Sequence, residues 1–212
     1  MQFCEVQIYL KMSDRESIQQ YFINLLKIIE NQRPGYIAVL KKGLLDDEIQ
    51  NSITTHPIPE GLIAIYSCVK GCCFERPNNF DFPTDLLPGY DLIEIDKVDS
   101  VINRLHSVHK DPDCWGWQPD MIPFLRGSGG DYYCVRTLSD DRSVVWTPKD
   151  DVLYVICQSI KDFILIITEC YKQNAYFLDE NRYLECNYDL EEKIIVNFNP
   201  NYYYQNSLES KE

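Results

Sequence analysis

Trp115 to Val135 reads WGWQPDMIPFLRGSGGDYYCV, and the fold of the chain turns on this stretch. Met121 to Leu125 is a short apolar run suited to a buried strand, and Asp131 to Arg136 is a second. Gly127, Ser128, Gly129 and Gly130 stand between them and supply the positive φ angles that a tight reversal needs. The pattern predicts a β-hairpin at the centre of a sheet, with Trp115 and Trp117 packed at its entrance. A glycine-rich turn can also cradle a phosphate through its backbone N–H groups. This one lacks the lysine of a P-loop and the glycine spacing of a dinucleotide fingerprint. It also joins two strands instead of a strand and a helix, so the structural reading is preferred.

Upstream of the hairpin the chain is mostly helical in pattern. Ser13 and Glu16 form a capping box, and Ile18, Phe22, Leu25, Leu26 and Ile29 follow at helical spacing until Pro34-Gly35. Before this helix, Glu5 to Leu10 alternates like an edge strand. Asp46 to Ile53 reads as a short helix with Leu45, Ile49 and Ile53 on one stripe, and Asp46, Asp47 and Glu48 suit its positive end. Pro59 opens another helix, with Leu62, Ile63, Tyr66 and Val69 facing inward and Gly71 as its C-terminal cap. Phe74 to Gly89 is a loop, and Tyr90 to Ile95 a strand. Val98, Val101, Ile102 and Leu105 give a helix to about His106.

Downstream, Leu138 to Arg142 is a turn, Ser143 to Thr147 a strand closed by Pro148, and Val152 to Cys157 another strand. Ser159, with Asp162 three residues on, opens a helix that carries Phe163, Ile166, Ile167 and Cys170 on one face. The tail holds three further candidate strands, Ala175 to Leu178, Tyr183 to Cys186 and Lys193 to Phe198, before a frayed end. Helices first, then strands around a late helix, predict an α+β fold: a single domain over residues 1–212 with a mostly antiparallel sheet and helices packed on it.

The chain has 212 residues, 45% hydrophobic and 25% charged, which is ordinary globular composition. Its net charge of −13 opposes direct binding to nucleic acid or to an anionic membrane surface and allows a basic partner, while on charge alone the preferred reading is that the acidity keeps the protein soluble. No apolar run approaches the ~18 residues of a membrane helix. No secretory leader is evident at the N-terminus, and the nine scattered cysteines read as reduced thiols, so a cytoplasmic setting is expected.

Candidate chemistry is sparse. His106, His109, Asp111, Asp113 and Cys114 are residue types that bind zinc, but no second ligand pair accompanies them, and a solvated connector is the preferred reading. Neither a metal nor another cofactor is expected. Asp131 is a conceivable general base, although a carboxylate just after a glycine turn more often accepts turn N–H groups. No nucleophile elbow, zincin helix or P-loop occurs, which points away from an enzyme.

Several pieces combine into a family pattern. They are Ile49, then Ile58-Pro59 to Tyr66, then Lys70-Gly71. Trp117, Ile122-Pro123-Phe124, Gly127 to Gly130, Asp131 and Tyr133-Cys134 follow, and later Ser159 with Phe163. In this order they resemble the SMI1/KNR4 family of the SUKH superfamily, most strongly over residues 45–170. The residue before Gly71 and the extended C-terminal tail depart from that pattern. The resemblance implies an α+β domain that binds protein and supplies no catalytic residue. In its bacterial form it implies a cytoplasmic immunity protein that neutralises a co-encoded toxin, with a nuclease as one candidate. In its fungal form it implies a regulatory or scaffold protein linked to cell-wall synthesis or signalling. For a basic toxin domain, the expected contact residues are Asp46, Asp47 and Glu48 at a helix start, and Asp140 and Asp141 at a turn, where exposure is expected.

Overall fold

The computed structural model describes residues 13–72, 84–108, 116–138, 141–149 and 153–202. The strand expected at 5–10, most of the loop at 74–89, Trp115, Asp140 and the zinc candidates His109, Asp111, Asp113 and Cys114 lie outside the described residues.

Helix α1 (Asp14–Gln32) begins as its capping box dictates. The Ser13 hydroxyl accepts the Glu16 N–H at 3.2 Å, and the Glu16 carboxylate accepts the Ser13 N–H at 2.8 Å. Its apolar face, Ile18 to Ile29, is buried. The Glu30 carboxylate then takes the N–H groups of Gly35 and Ile37, at 2.7 and 2.8 Å, and turns the chain. Strand β1 (Leu40–Lys42) pairs with β2 (Val69–Cys72), and between them lie α2 (Asp46–Ser52) and α3 (Glu60–Cys68). Next come β3 (Tyr90–Leu92), α4 (Ile95–Val108), β4 (Met121–Gly127), β5 (Tyr132–Arg136), β6 (Val144–Thr147) and β7 (Tyr154–Cys157). Helix α5 (Ile160–Lys172), the hairpin of β8 (Tyr176–Leu178) and β9 (Leu184–Cys186), and α6 (Tyr188–Phe198) complete the described chain.

Strands β3 to β7 form one antiparallel sheet in sequence order, with β5 at its centre and β4 beside it. The predicted hairpin is therefore there, and the architecture is a single α+β domain. Adjacent strand residues point to opposite faces, which assigns the two layers. Tyr132 receives a hydrogen bond from Arg104 of α4, while Tyr133 stacks at 5.3 Å on Phe163 of α5. The sheet is thus covered on both sides, which explains why β4 is buried at five consecutive residues instead of alternating. Helix α5 is capped by Ser159, whose hydroxyl accepts the Asp162 N–H at 3.1 Å. It lies between the sheet and α1. Pro123 is tolerated in β4 because β3 has already ended at Leu92, opposite Leu125, so no neighbour on that edge seeks its missing N–H. Phe124 sits at a bulge in the β4–β5 register. No described helix is long and apolar enough to cross a membrane.

Several expectations change. Leu45 is 75% exposed and stands apart from the buried Ile49 and Ile53, because it precedes the helix instead of joining its stripe. Pro59 is the residue before α3, with extended ψ, and not its first helical residue. Gly71 does not cap α3, which passes directly into β2 at Val69. It lies in the strand at φ +132°, where a Cβ would stand 2.5 Å from the Glu94 Cα, so it permits a backbone crossing. Only Gly130 of the hairpin turn has positive φ, at 97°. The strand expected at 90–95 ends at Leu92, and Ile95 starts α4.

The last candidate strand, 193–198, is instead the C-terminal half of α6. Asn187 accepts the Leu190 N–H at 3.2 Å, Asp189 and Glu191 occupy the first turn, and Ile194 and Ile195 are buried. Cap and burial outweigh the strand preference of the β-branched run.

Candidate functional site

The acidic residues expected to meet a partner divide by their bonds. Asp46 is paired with Arg15 of α1, and that guanidinium holds its carboxyl below the usual range. Glu48 accepts the Leu45 N–H at 2.8 Å and so serves the start of α2. Asp47 is exposed and makes no side-chain hydrogen bond among the described residues. Asp141 joins Arg136 at 3.1 Å and accepts the Ser143 N–H at 2.9 Å, while Asp120 holds the same guanidinium at 3.1 Å. Asp46, Asp47 and Glu48 are exposed and Asp141 is half-buried, and Glu48 and Asp141 also organise local backbone.

The glycine turn closes on itself, with the Gly130 N–H donating to the Gly127 carbonyl at 3.3 Å. Asp131 accepts the Lys149 N–H at 3.0 Å, so it bonds the backbone after β6 and not the turn, and its carboxylate flanks Gly129. His106 packs its ring against Trp117 at 5.6 Å and against His56 at 6.5 Å, and the His56 Nε2 lies 2.5 Å from the Pro119 carbonyl. These rings hold the entrance of the hairpin. Among the described residues no group of three or more metal-ligating side chains comes together.

A different site is better formed. Tyr133, Trp146 and Tyr154 face one another across β5, β6 and β7 as directly opposed residues. Tyr90 extends the row, because Gly127 opposite it has no side chain and its ring can lie across β4. A Cβ on Gly127 would stand 2.9 Å from the Tyr90 Cε1. The Tyr90 ring meets Tyr133 edge-on at 4.9 Å, and its hydroxyl accepts the Trp146 indole N–H at 2.8 Å. Opposite this aromatic wall stand Cys186, Tyr188, Glu191, Ile195 and Tyr202, from β9 onward. The cleft between the walls has a volume of about 310 Å³.

Among the described residues Glu191 is the one charged residue in the lining. Its carboxylate accepts from the Tyr176 hydroxyl and, at 3.2 Å, from the Cys186 thiol. Burial first, and the negative charge of Glu191 second, raise Tyr133, Tyr176 and Cys186 above their ordinary values. Tyr90 is pushed up to about 12 by burial, against the opposing effect of the Trp146 hydrogen bond. The phenols and the thiol therefore stay neutral at physiological pH. A thiol whose thiolate is this disfavoured is a poor nucleophile, so the Cys186–Glu191 contact is a hydrogen bond and not a catalytic pair.

Reading the sequence missed this cleft. The available signal was an aromatic residue in each of β3, β5, β6 and β7 at positions predicted to be strand, with one glycine where β4 should carry a side chain. Glu191 had no signal, since it lies between two candidate strands, 183–186 and 193–198, in a segment given no element.

Residues 46–166, more than half of the chain, match the family model described as SMI1 / KNR4 family (SUKH-1). No curated protein matches the chain.

Proposed function

The chain belongs to the SMI1/KNR4 (SUKH-1) family, and from that premise we propose that it is a non-enzymatic, cytoplasmic immunity protein that binds and neutralises a toxin encoded beside it. The observation that carries this reading is the aromatic cleft. At about 310 Å³ it is at the small end of ligand pockets, matched to an inserted side chain more than to a cofactor. Tyrosine and tryptophan are the residues on which binding energy concentrates at protein interfaces. The net charge of −13 supports a basic partner, with a nuclease as the favoured class. In this division of labour the cleft anchors the partner, and Asp46, Asp47, Glu48 and Asp141 steer its approach.

The test is co-expression with the toxin domain of a neighbouring gene. Survival of the host, with a complex recovered from it, is the expected result. A host that dies despite soluble protein overturns the immunity reading. Recovery with cell-wall or signalling proteins, in the absence of such a neighbouring gene, would establish the regulatory role in its place.

A further inference from the structure

We propose, building on the protein-binding reading above, that the cleft is a receptor for one arginine side chain presented by the partner. The guanidinium pairs with the Glu191 carboxylate while it lies against the faces of the surrounding tyrosines and Trp146.

Three observations support this occupant. First, Glu191 is half-buried, the hydroxyl and thiol that donate to it are neutral, and no lysine or arginine pairs with it among the described residues. A carboxylate withdrawn from water without a cation is costly, and an incoming cation relieves that cost. Second, the rest of the lining is apolar or neutral, and it is dominated by aromatic rings. Their faces attract cations, and Arg in particular stacks on them. Third, an anion is opposed by Glu191, and a metal ion lacks a ligand set here. Arginine suits the site better than lysine because its planar fork can pair with a carboxylate and stack at the same time. Tyr188, 74% exposed, stands ready to cover the guest.

The probe is the peptide acetyl-Gly-Arg-Gly-amide, added to the full chain and followed by the Trp146 indole N–H resonance and by calorimetry. Parallel titrations use the citrulline peptide, which keeps the shape of arginine and loses the charge, and the lysine peptide. Arginine should bind at least tenfold more tightly than citrulline and severalfold more tightly than lysine. Glu191→Gln should remove that preference, and the exposed change Tyr188→Ala should weaken arginine binding severalfold without altering the fold. Equal binding of arginine and citrulline overturns the proposal, as does an unchanged affinity in Glu191→Gln. A Lys211→Gln variant tests the chain's own tail, which follows Tyr202: if that change alone reproduces the Trp146 shift, the tail is the occupant and the partner proposal fails. Peptide binding without host survival on co-expression would retain the cleft chemistry and remove the toxin assignment, so the two failures are separable.

Discussion

Replacing Gly127 by Ala adds one methyl group beneath the Tyr90 ring. The new carbon would stand 2.9 Å from Tyr90 Cε1 and 3.3 Å from its Cζ, closer than atoms pack without displacement. The backbone there is not in the left-handed region, so the substitution carries no conformational strain of its own. In an ordinary strand, exchanging glycine for alanine stabilises by roughly 0.5–1 kcal/mol. Here the ring must swing away, which costs about 0.5–1.5 kcal/mol for the edge contact with Tyr133 and about 1 kcal/mol for the bond to Trp146. Overpacking of this kind costs ~1–3 kcal/mol in well-packed sites. The balance is a loss of about 0.5–2 kcal/mol, and with a urea slope of ~2 kcal/mol/M it lowers the midpoint by about 0.25–1 M. The decisive comparison is the same change in a Tyr90→Ala background, where the methyl meets no ring. There Gly127→Ala should be neutral or stabilising, giving a coupling of about 2 kcal/mol between the positions. An equal loss in both backgrounds would refute the crossing of Tyr90 over β4 as the reason that glycine stands there.

Phe163→Ala should cost about 3–5 kcal/mol in urea melts, because the ring is 3% exposed and packs at 5.4 Å on Phe124 and 5.3 Å on Tyr133; a loss under ~1 kcal/mol would contradict that packing. Glu30 is held below the usual carboxylate range by the N–H groups of Ile37 and Gly35. A carboxylate with a depressed folded pKa stabilises above its unfolded value, ~4.3 for glutamate, and loses that contribution as pH falls through the lower folded value. The stability gap between wild type and Glu30→Gln should therefore be full at neutral pH and close on acidification; a gap that widens would reverse the sign. For a captured basic partner, Asp47→Lys should slow association and flatten its salt dependence while leaving dissociation nearly unchanged, and stopped-flow rates across a salt series that do not change would confine this residue to solubility.

Local chemistry made part of this molecule readable in advance. The Ser13 and Ser159 caps, the periodic faces of α1 and α5, and the apolar–glycine–apolar pattern of the hairpin each involve residues within a few positions of one another. What escaped reading depends on contacts across the chain. Gly71 looked like a helix cap until the Glu94 backbone proved to cross it, and Gly127 begins the turn as read but also leaves room for Tyr90. The run Ile194-Ile195-Val196 has strand composition, and only the Asn187 cap and the burial of the two isoleucines decide for a helix. Asp46, Asp47 and Glu48 open α2 as their sequence suggests, but the pairing of Asp46 with Arg15 and of Asp141 with Arg136 is invisible without the fold, and so is the pairing of Glu191 with Tyr176 and Cys186.

The two walls of the cleft come from different parts of the chain. Tyr90, Tyr133 and Trp146 lie within the residues that match the family, 46–166, whereas Cys186, Tyr188, Glu191 and Tyr202 come after them. The aromatic wall is built into the sheet, where Tyr133 and Trp146 have hydrogen-bonded strands on both sides and Tyr90 on β3 has one. The opposite wall comes from the stretch that follows α5, and among the described residues that stretch packs on α5 and reaches the sheet at β7. It can be exchanged as a cassette while the scaffold is kept. Chimeras carrying another member's segment after α5 should inherit that member's choice of guest.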